Sequence, residues 1–259
     1  MKKSISFILI LLLISGNYLS CRKEKGFPHV IPSLDLALID FTHFVLPNQG
    51  IEKRFDTKVI TNNNWPFVVE RVSSWRTLTT VNLSVPIAAY KAVIGKTVSQ
   101  ISSDTWEWSY NPKIAGETYK VRLTGQTTGS KVKWEMYVSG SFPEFKWLEG
   151  TSNTDGKEGD WTFYENNASQ IILKIEWRKL GDNIEHIKYS YENSYIQYTP
   201  TSGNFKHSCT VHYYNESLGR FSDVNFEWNP SIAGRVKGDD YLNGNWQCWN
   251  AQKNDENCN

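Results

Sequence analysis

The sequence contains four glutamates next to tryptophans, a pairing of residue types that could serve a glycosidase. A glycosidase needs two carboxylates about 5 to 10 Å apart that flank the sugar, and the adjacent residues here are Glu107-Trp108, Trp134-Glu135, Glu176-Trp177 and Glu227-Trp228. Because successive side chains of a strand point to opposite faces of the sheet, each Glu points to the face away from its neighbouring Trp. If the Trp face is the core, these carboxylates face solvent and pair with cations on neighbouring strands. We therefore expect a solvated ladder of charges and assign no catalytic residue.

A metal site is the second chemistry to consider. His207 and Cys209 are two residues apart and share one face of a predicted strand, which would supply half of a site. A zinc site needs three or four ligands, and His29, His43, His186 and His212 show no ligand spacing. The chain also carries no serine nucleophile elbow, phosphate loop or EF-hand loop. We predict no metal, no cofactor and a non-enzymatic protein, with a hydrolase as the third-ranked function.

The four cysteines predict both a disulfide and a lipid attachment site. Cys248 and Cys258 are ten residues apart in a polar tail, and in an oxidising compartment we expect them to form a disulfide. Cys209 then remains as a buried thiol, with a bridge to Cys21 as the other option. Cys21 follows Ser20 at the end of an apolar run, so we predict that it is the lipid attachment site.

The first 28 residues predict export and anchoring. Lys2 and Lys3 precede an apolar run over 5–14, which is typical of a secretory signal and too short to span a bilayer. We predict a signal peptide over 1–20, a polar tether over 21–28 and a membrane partner reached through the N-terminal lipid. The residues after Cys21 are basic, so we expect a periplasm-facing protein of the outer membrane. The alternative is an ordinary secretory signal, with Cys21 in a disulfide.

Composition restricts the partners. The chain has 28 basic and 27 acidic residues, and a balance so near neutral argues against nucleic acid, whose phosphates need a concentrated basic patch. After the signal no apolar run reaches 18 residues, so no transmembrane helix is expected. The 11 Trp, 13 Tyr and 12 Phe are numerous. Such rings suit a barrel interior, a β interface or a sugar platform.

Periodicity predicts an α+β, mainly β fold in one domain over 29–259. An alternating segment over 29–41 predicts an opening strand. Asn64 then looks like an N-cap and Pro66 like a first-turn residue, and three- and four-residue spacing predicts one or two helices over about 65–96. From Thr105 the period changes to two. We expect an antiparallel meander of about ten strands that forms a barrel or strongly bent sheet, with the helices packed on it.

The region from Trp106 to the end of the chain resembles a group of uncharacterised Gram-negative β proteins that are secreted or lipid-anchored. The residues that carry the resemblance are Trp106-Glu-Trp108, Trp134-Glu-Met-Tyr137, Gly150-Thr-Ser152, Asp155-Gly156, Gly159-Asp-Trp161, Gly234-Arg-Val-Lys237, Trp246-Gln-Cys-Trp249 and Cys258. The group has no assigned activity. The resemblance therefore implies a β fold and an envelope location, and it implies no chemistry.

Two functions rank above the hydrolase. The first is a membrane-tethered barrel or half-barrel that holds an apolar ligand, lined by Trp106, Trp108, Trp134 and Trp177. With a packed interior, the same domain would be a structural or interaction module of the envelope. The alternative is a glycan-binding module in which loop aromatics such as Trp147, Trp246 and Trp249 stack on sugar rings. Exposure separates these hypotheses, because a sugar platform needs rings that are open to solvent.

Overall fold

The computed structural model describes residues 30–34, 38–46, 63–165 and 170–258. The predicted signal peptide (1–20), the tether (21–28) and Cys21 lie outside the described residues. Strands make up 49% and helices 15% of the structure, so the protein is mainly β, with a large antiparallel sheet and two helices. The predicted fold class is confirmed at that level.

The helices lie where the three- and four-residue spacing placed them, and the strands follow without interruption. The helices are α1 (Asn64–Thr77) and α2 (Ser84–Lys91), with a π-helical turn (Leu78–Asn82) between them and a 3-10 turn (Leu242–Gly244) near the end. The strands are β1 (Ser99–Gln100), β2 (Thr105–Tyr110), β3 (Lys113–Ile114), β4 (Glu117–Thr118), β5 (Lys120–Thr128), β6 (Lys131–Ser139), β7 (Phe145–Asn153), β8 (Glu158–Tyr164), β9 (Ile171–Leu180), β10 (Asn183–Tyr191), β11 (Ser194–Pro200), β12 (His207–Asn215), β13 (Arg220–Trp228), β14 (Gly234–Gly238), β15 (Gln247–Trp249) and β16 (Asp255–Glu256).

Fourteen of these strands form one antiparallel meander, in which each strand pairs with the next one along the chain except that β2 pairs with β5. The order is β1-β2-β5-β6-β7-β8-β9-β10-β11-β12-β13-β14-β15-β16, while β3 and β4 form a separate small hairpin. The sheet therefore has more strands than the predicted ten or so: ten of them, β2 and β5 to β13, have six or more residues, and β1, β14, β15 and β16 are shorter. Among the described strands, β1 and β16 each pair on one side, so the sheet is not closed.

Helix α1 forms because its apolar residues recur on one side. Trp65, Val68, Val72 and Trp75 are buried, and their three- and four-residue spacing puts them on one face. The prediction that Asn64 is the N-cap was wrong by one residue. Asn63 has the extended conformation of the N-cap, whereas Asn64 is helical and buried.

The helical segment packs against strands that are far apart in the sheet. The ring of Tyr90 on α2 lies 5.2 Å from that of Trp161 on β8. The hydroxyl of Tyr110 on β2 donates to the Ala89 carbonyl of α2 at 2.8 Å. At the other end of the strand order, Trp249 of β15 has its ring 5.8 Å from that of Trp65 on α1. The two helices therefore share one hydrophobic core with β2, β8 and β15.

Tryptophan and glycine alternate across one row of the core-facing side. In register from β2 to β8 the row reads Trp106, Gly125, Trp134, Gly150, Trp161. A Cβ at Gly125 would lie 2.7 Å from the Trp134 ring, and one at Gly150 would lie 2.6 Å from the Trp161 ring. The glycines thus provide the space in which the indoles lie flat against the sheet.

The predicted opening strand over 29–41 is not present in the described part of that segment, 30–34 and 38–41. Its apolar residues are used differently, because Leu34 and Phe41 insert into the core. The hydroxyl of Tyr189 on β10 accepts the N–H of Ile39 at 2.7 Å. The alternation therefore reflects contact with the helices and the sheet interior, without strand pairing.

Candidate functional site

The four tryptophans predicted to line a ligand lie together on the core side of the sheet. Trp106, Trp108, Trp134 and Trp177 are 6%, 4%, 0% and 3% exposed. The rings of Trp108 and Trp134 are 5.9 Å apart, while Trp177 stacks on Trp161 at 5.5 Å. The indole of Trp134 donates to the Ser152 hydroxyl at 2.9 Å. These contacts place the rings against protein atoms, and a ligand-lining role stays a prediction.

The three aromatics considered for a sugar platform have different surroundings. Trp249 is fully buried. Trp246 is half-buried, and the cations of Arg235 and Lys237 lie 4.3 and 4.8 Å from its ring centre. Trp147 is half-buried with other aromatic rings around it. Of these three residues, Trp147 is therefore the best placed for stacking on a sugar.

Trp147 belongs to a cluster of four rings, here called the aromatic rim, at one end of the sheet. Its members are Tyr119, Phe142, Phe145 and Trp147, each partly exposed. The ring centres lie 5.6 to 6.3 Å apart in the sequence Tyr119–Phe142–Phe145–Trp147, and Trp147 also lies 6.0 Å from Tyr119. These residues come from strand β7 and from the turns before β5 and β7.

A β-bulge positions Trp147. The register between β6 and β7 shifts where Met136 pairs with Leu148 and Tyr137 pairs with Lys146, so Trp147 is the extra residue of the bulge. A bulge bends its strand and re-aims a side chain, and bulges are enriched next to functional sites. The sequence identified Trp147, but it gave no signal for Tyr119, Phe142 or Phe145 because they converge from separate hairpins.

Charged residues are close in the chain to members of the aromatic rim. The Tyr119 hydroxyl donates to Glu117 at 3.2 Å, and the Arg122 guanidinium pairs with Glu144 at 3.0 Å. Burial and hydrogen bonding to Glu117 raise the pKa of Tyr119, so this hydroxyl is a neutral donor at physiological pH. The rim therefore combines apolar ring surface with a hydroxyl and a carboxylate at Tyr119 and Glu117.

A second charged cluster lies on the outer face of β6, β7 and β8. Lys146 contacts Glu149 at 2.6 Å and Glu135 at 3.2 Å, and the Tyr164 hydroxyl donates to Glu149. Burial alone would raise the pKa of Glu149, but the bonds from Lys146 and Tyr164 lower it overall. Burial and the bond to Glu149 raise the pKa of Tyr164 to about 12. Glu135 thus belongs to the expected ladder of solvated charges, on the face of β6 away from the buried Trp134.

The cysteines and His207 have structural contacts in the described part of the chain. The sulfur atoms of Cys248 and Cys258 lie 2.12 Å apart, as a disulfide, in agreement with the predicted pair. Cys209 is a buried free thiol, and burial raises its pKa well above the usual value. The Nδ1 atom of His207 is hydrogen-bonded to the Tyr198 hydroxyl at 2.8 Å. Within the described residues, no group of three or more His, Cys, Asp or Glu side chains is placed to hold a metal ion.

Two grooves lie on the surface of the described residues. One, of about 520 Å³, lies between the segment 38–42 and the end of α1, with Leu38, Ile39 and Phe41 on one side and Arg76, Thr79 and Thr80 on the other. We call it the mouth groove. The other, of about 620 Å³, is on the outer face of β7 to β10, and of the four tryptophans predicted to line a ligand only Trp177 borders it.

Comparisons with protein-family models, with curated proteins and with solved structures found no match. Among the described ranges, no helix has the length and hydropathy needed to cross a membrane. The candidate site therefore depends on the geometry of this chain alone.

Proposed function

We propose that this chain is a non-enzymatic, lipid-anchored protein of the bacterial envelope whose β domain binds a glycan at the aromatic rim. The main support for this proposal is a cluster of four rings that are partly exposed and in contact with one another, Tyr119, Phe142, Phe145 and Trp147. Preordered rings lose little conformational entropy when a sugar stacks on them.

Polar groups beside the rings support a glycan over a purely apolar ligand. Sugar hydroxyls need donors and acceptors next to an apolar face, and the Tyr119 hydroxyl, its partner Glu117 and Glu144, which directly precedes Phe145, are polar groups close to the rings in the chain. A binding site of this composition fixes the orientation of its ligand through a few polar contacts while the rings provide the contact area.

The location rests on the sequence and on the cysteine pair. A disulfide between Cys248 and Cys258 persists in an oxidising compartment such as the periplasm. Cys21 after the apolar segment supplies the lipid, and the basic tether supports a periplasm-facing position on the outer membrane. A stable anchor would hold the rim near polymeric glycans of the envelope.

A half-barrel accounts for the shared core. Contacts from one helical segment to β2, β8 and β15 support a sheet that curls around α1 and α2. The helices and indoles then occupy the concave side. This packing favours a surface site over an interior ligand lined by Trp106, Trp108, Trp134 and Trp177.

Oligosaccharide titration of the mature chain tests the proposal. We expect N-acetylated and neutral oligosaccharides, monitored by tryptophan fluorescence and calorimetry, to show saturable binding. Trp147→Ala and Tyr119→Ala should each weaken it at least tenfold, which is about 1.4 kcal/mol. The control is Tyr214→Ala, because Tyr214 is 48% exposed on a different hairpin. Equal losses in all three variants, or no saturable binding by the wild type, would overturn the glycan proposal.

The mouth groove supports a second candidate, an apolar ligand with an anionic head group. Leu38, Ile39 and Phe41 provide apolar surface, and Arg76 makes no ion pair with the described residues. Lipid extraction of the purified protein tests this candidate. We expect an acidic lipid that is lost in Arg76→Gln and retained in Arg220→Gln, a control on an exposed hairpin. A lipid-free wild type, or a lipid retained in Arg76→Gln, would count against it.

A further inference from the structure

The outer-face groove is separate from the aromatic rim and has a different chemistry. Its volume is about 620 Å³, and it extends over β7, β8, β9 and β10. Its polar lining carries both charge signs within a few residues: Thr151, Asp160, Lys174, Glu176, Arg178 and His186. We call it the zwitterion groove. All of its lining residues belong to the part of the chain that the structure describes.

Two carboxylates of its lining come from directly paired positions. Asp160 on β8 and Glu176 on β9 are direct cross-strand partners, and like charges in that position repel. The Thr151 hydroxyl donates to Asp160, which orients that carboxylate without neutralising it. Glu176 has no hydrogen bond or ion pair with any described residue. On its other side Glu176 is opposite Lys188 of β10, whose ammonium lies over the Tyr195 ring at 4.6 Å and makes no ion pair with Glu176, so both carboxylates keep acceptor capacity.

A free ammonium lies two residues along β9 from Glu176, on the same face of the sheet. Lys174 is opposite Thr162, and Arg178 is opposite Glu158, so each cation is about 7 Å along the strand from the carboxylate pair. The Arg178 guanidinium is already engaged, because its Nε lies 2.8 Å from Glu185. Lys174 has no such partner among the described residues, and its flexible stem reaches into the groove.

We propose that the zwitterion groove binds a short peptide with a free amino terminus and a free carboxyl terminus. The ammonium of the peptide would lie between Asp160 and Glu176, where it relieves their repulsion. Its carboxylate would pair with Lys174. Since a residue spans at most about 3.6 Å, the two termini of a dipeptide are separated by about 7 Å, which matches the spacing of the two charged positions. Asn153 and Thr162 provide further hydrogen-bonding groups along the groove wall.

Calorimetric titration of the full mature chain with alanylalanine tests this proposal. The matched probes are the N-acetylated and the C-amidated dipeptide, each of which lacks one charge. We expect the free dipeptide to bind and each blocked form to bind at least tenfold more weakly. Glu176→Gln and Lys174→Gln should cause losses of the same size. The control variant is Lys120→Gln, which removes an exposed cation from β5 and should bind like the wild type.

Two results would overturn the proposal: no binding of the free dipeptide, or equal binding of the blocked and free forms. Urea unfolding of each variant provides the folding check, because a loss of binding with an unchanged midpoint belongs to the groove. Oligosaccharide binding at the aromatic rim should be the same in Glu176→Gln as in the wild type. Failure of the peptide site is therefore distinguishable from failure of the glycan proposal.

Discussion

The tightest constraint at the residue scale is at glycines that face both the backbone and an indole ring of the adjacent strand. A Cβ at Gly150 would lie 2.6 Å from the Trp161 ring and also meet the Asp160 carbonyl. Backbone on one side and a fully buried ring on the other leave little freedom for adjustment. We predict that Gly150→Ala lowers the free energy of unfolding by about 3 kcal/mol, the upper part of the range for overpacking.

Urea unfolding followed by tryptophan fluorescence measures this loss. Gly203→Ala is the matched control, because a Cβ there meets no atom within 4 Å and the backbone is not left-handed. It should leave the midpoint unchanged. A Gly150→Ala protein as stable as Gly203→Ala would show that the Trp–Gly row is not closely packed.

His207 makes stability depend on pH. Burial lowers its pKa, and its ring stacks on Trp228 at 5.0 Å. In the unfolded chain the histidine pKa is about 6.5, so below that pH the unfolded state binds the proton more readily. Stability should therefore fall as pH decreases from about 6.5 through the lower folded-state pKa.

The variant His207→Gln isolates this contribution. We expect the urea midpoint of the wild type to decrease between pH 7.5 and 5.5, and the decrease to be smaller in His207→Gln. His186, whose pKa burial also lowers, accounts for part of what remains, so the double variant with His186→Gln should be flatter still. An unchanged pH slope in His207→Gln would contradict the assignment.

At the scale of elements, the spacing of apolar residues predicted the positions of the helices and of the long strands. The period of two identified the long strands because one face of the sheet is buried and the other is charged, as Trp134 and Glu135 illustrate. The same alternation led to the wrong prediction of a strand over 29–41. Its alternation arises from burial between the helices and the sheet, and burial alone does not distinguish a strand from an extended segment.

Asn64 shows a different limit of the sequence. Its type fits an N-cap, but its side chain donates to the Cys248 carbonyl at 2.7 Å and accepts from the Tyr241 hydroxyl at 2.7 Å. Both partners are more than 170 residues away. The N-terminus of α1 is instead capped by Asp255, which accepts the Asn64 N–H at 2.9 Å.

We predict that Asp255→Ala lowers the free energy of unfolding by about 1 kcal/mol. The carboxylate satisfies an N–H at the end of the helix and lies near the positive end of the helix dipole. Thermal or urea unfolding measures the change, and amide exchange of the first turn of α1 should become faster. Glu256→Ala is the control on the same strand, since the Glu256 side chain is exposed and makes no hydrogen bond or ion pair with the described residues. Equal effects of the two variants would exclude the cap.

At the scale of the whole molecule, the aromatic rim required the structure. Trp147 could be selected from the sequence as a loop-side aromatic, but its neighbours Tyr119 and Phe142 come from turns before different strands. Their convergence depends on the register of the meander and on one bulge between β6 and β7. Register is fixed by the hydrophobic pattern together with long-range pairing, and the positions of bulges and of distant neighbours cannot be read from local spacing in one sequence.

The whole-molecule prediction with the widest consequence is the anchor at Cys21. A diacylated and N-acylated cysteine supplies enough buried methylenes for stable membrane attachment, which would hold the β domain at a membrane surface in the envelope. We expect the protein from native membranes to have the mass of residues 21–259 plus acyl chains, and Cys21→Ser to be recovered in the soluble fraction. Cys209→Ser is the control, because Cys209 is buried in the sheet; it should partition like the wild type. A wild type without acyl chains, with Cys21 in a disulfide, would replace the anchored binding module by a freely secreted one.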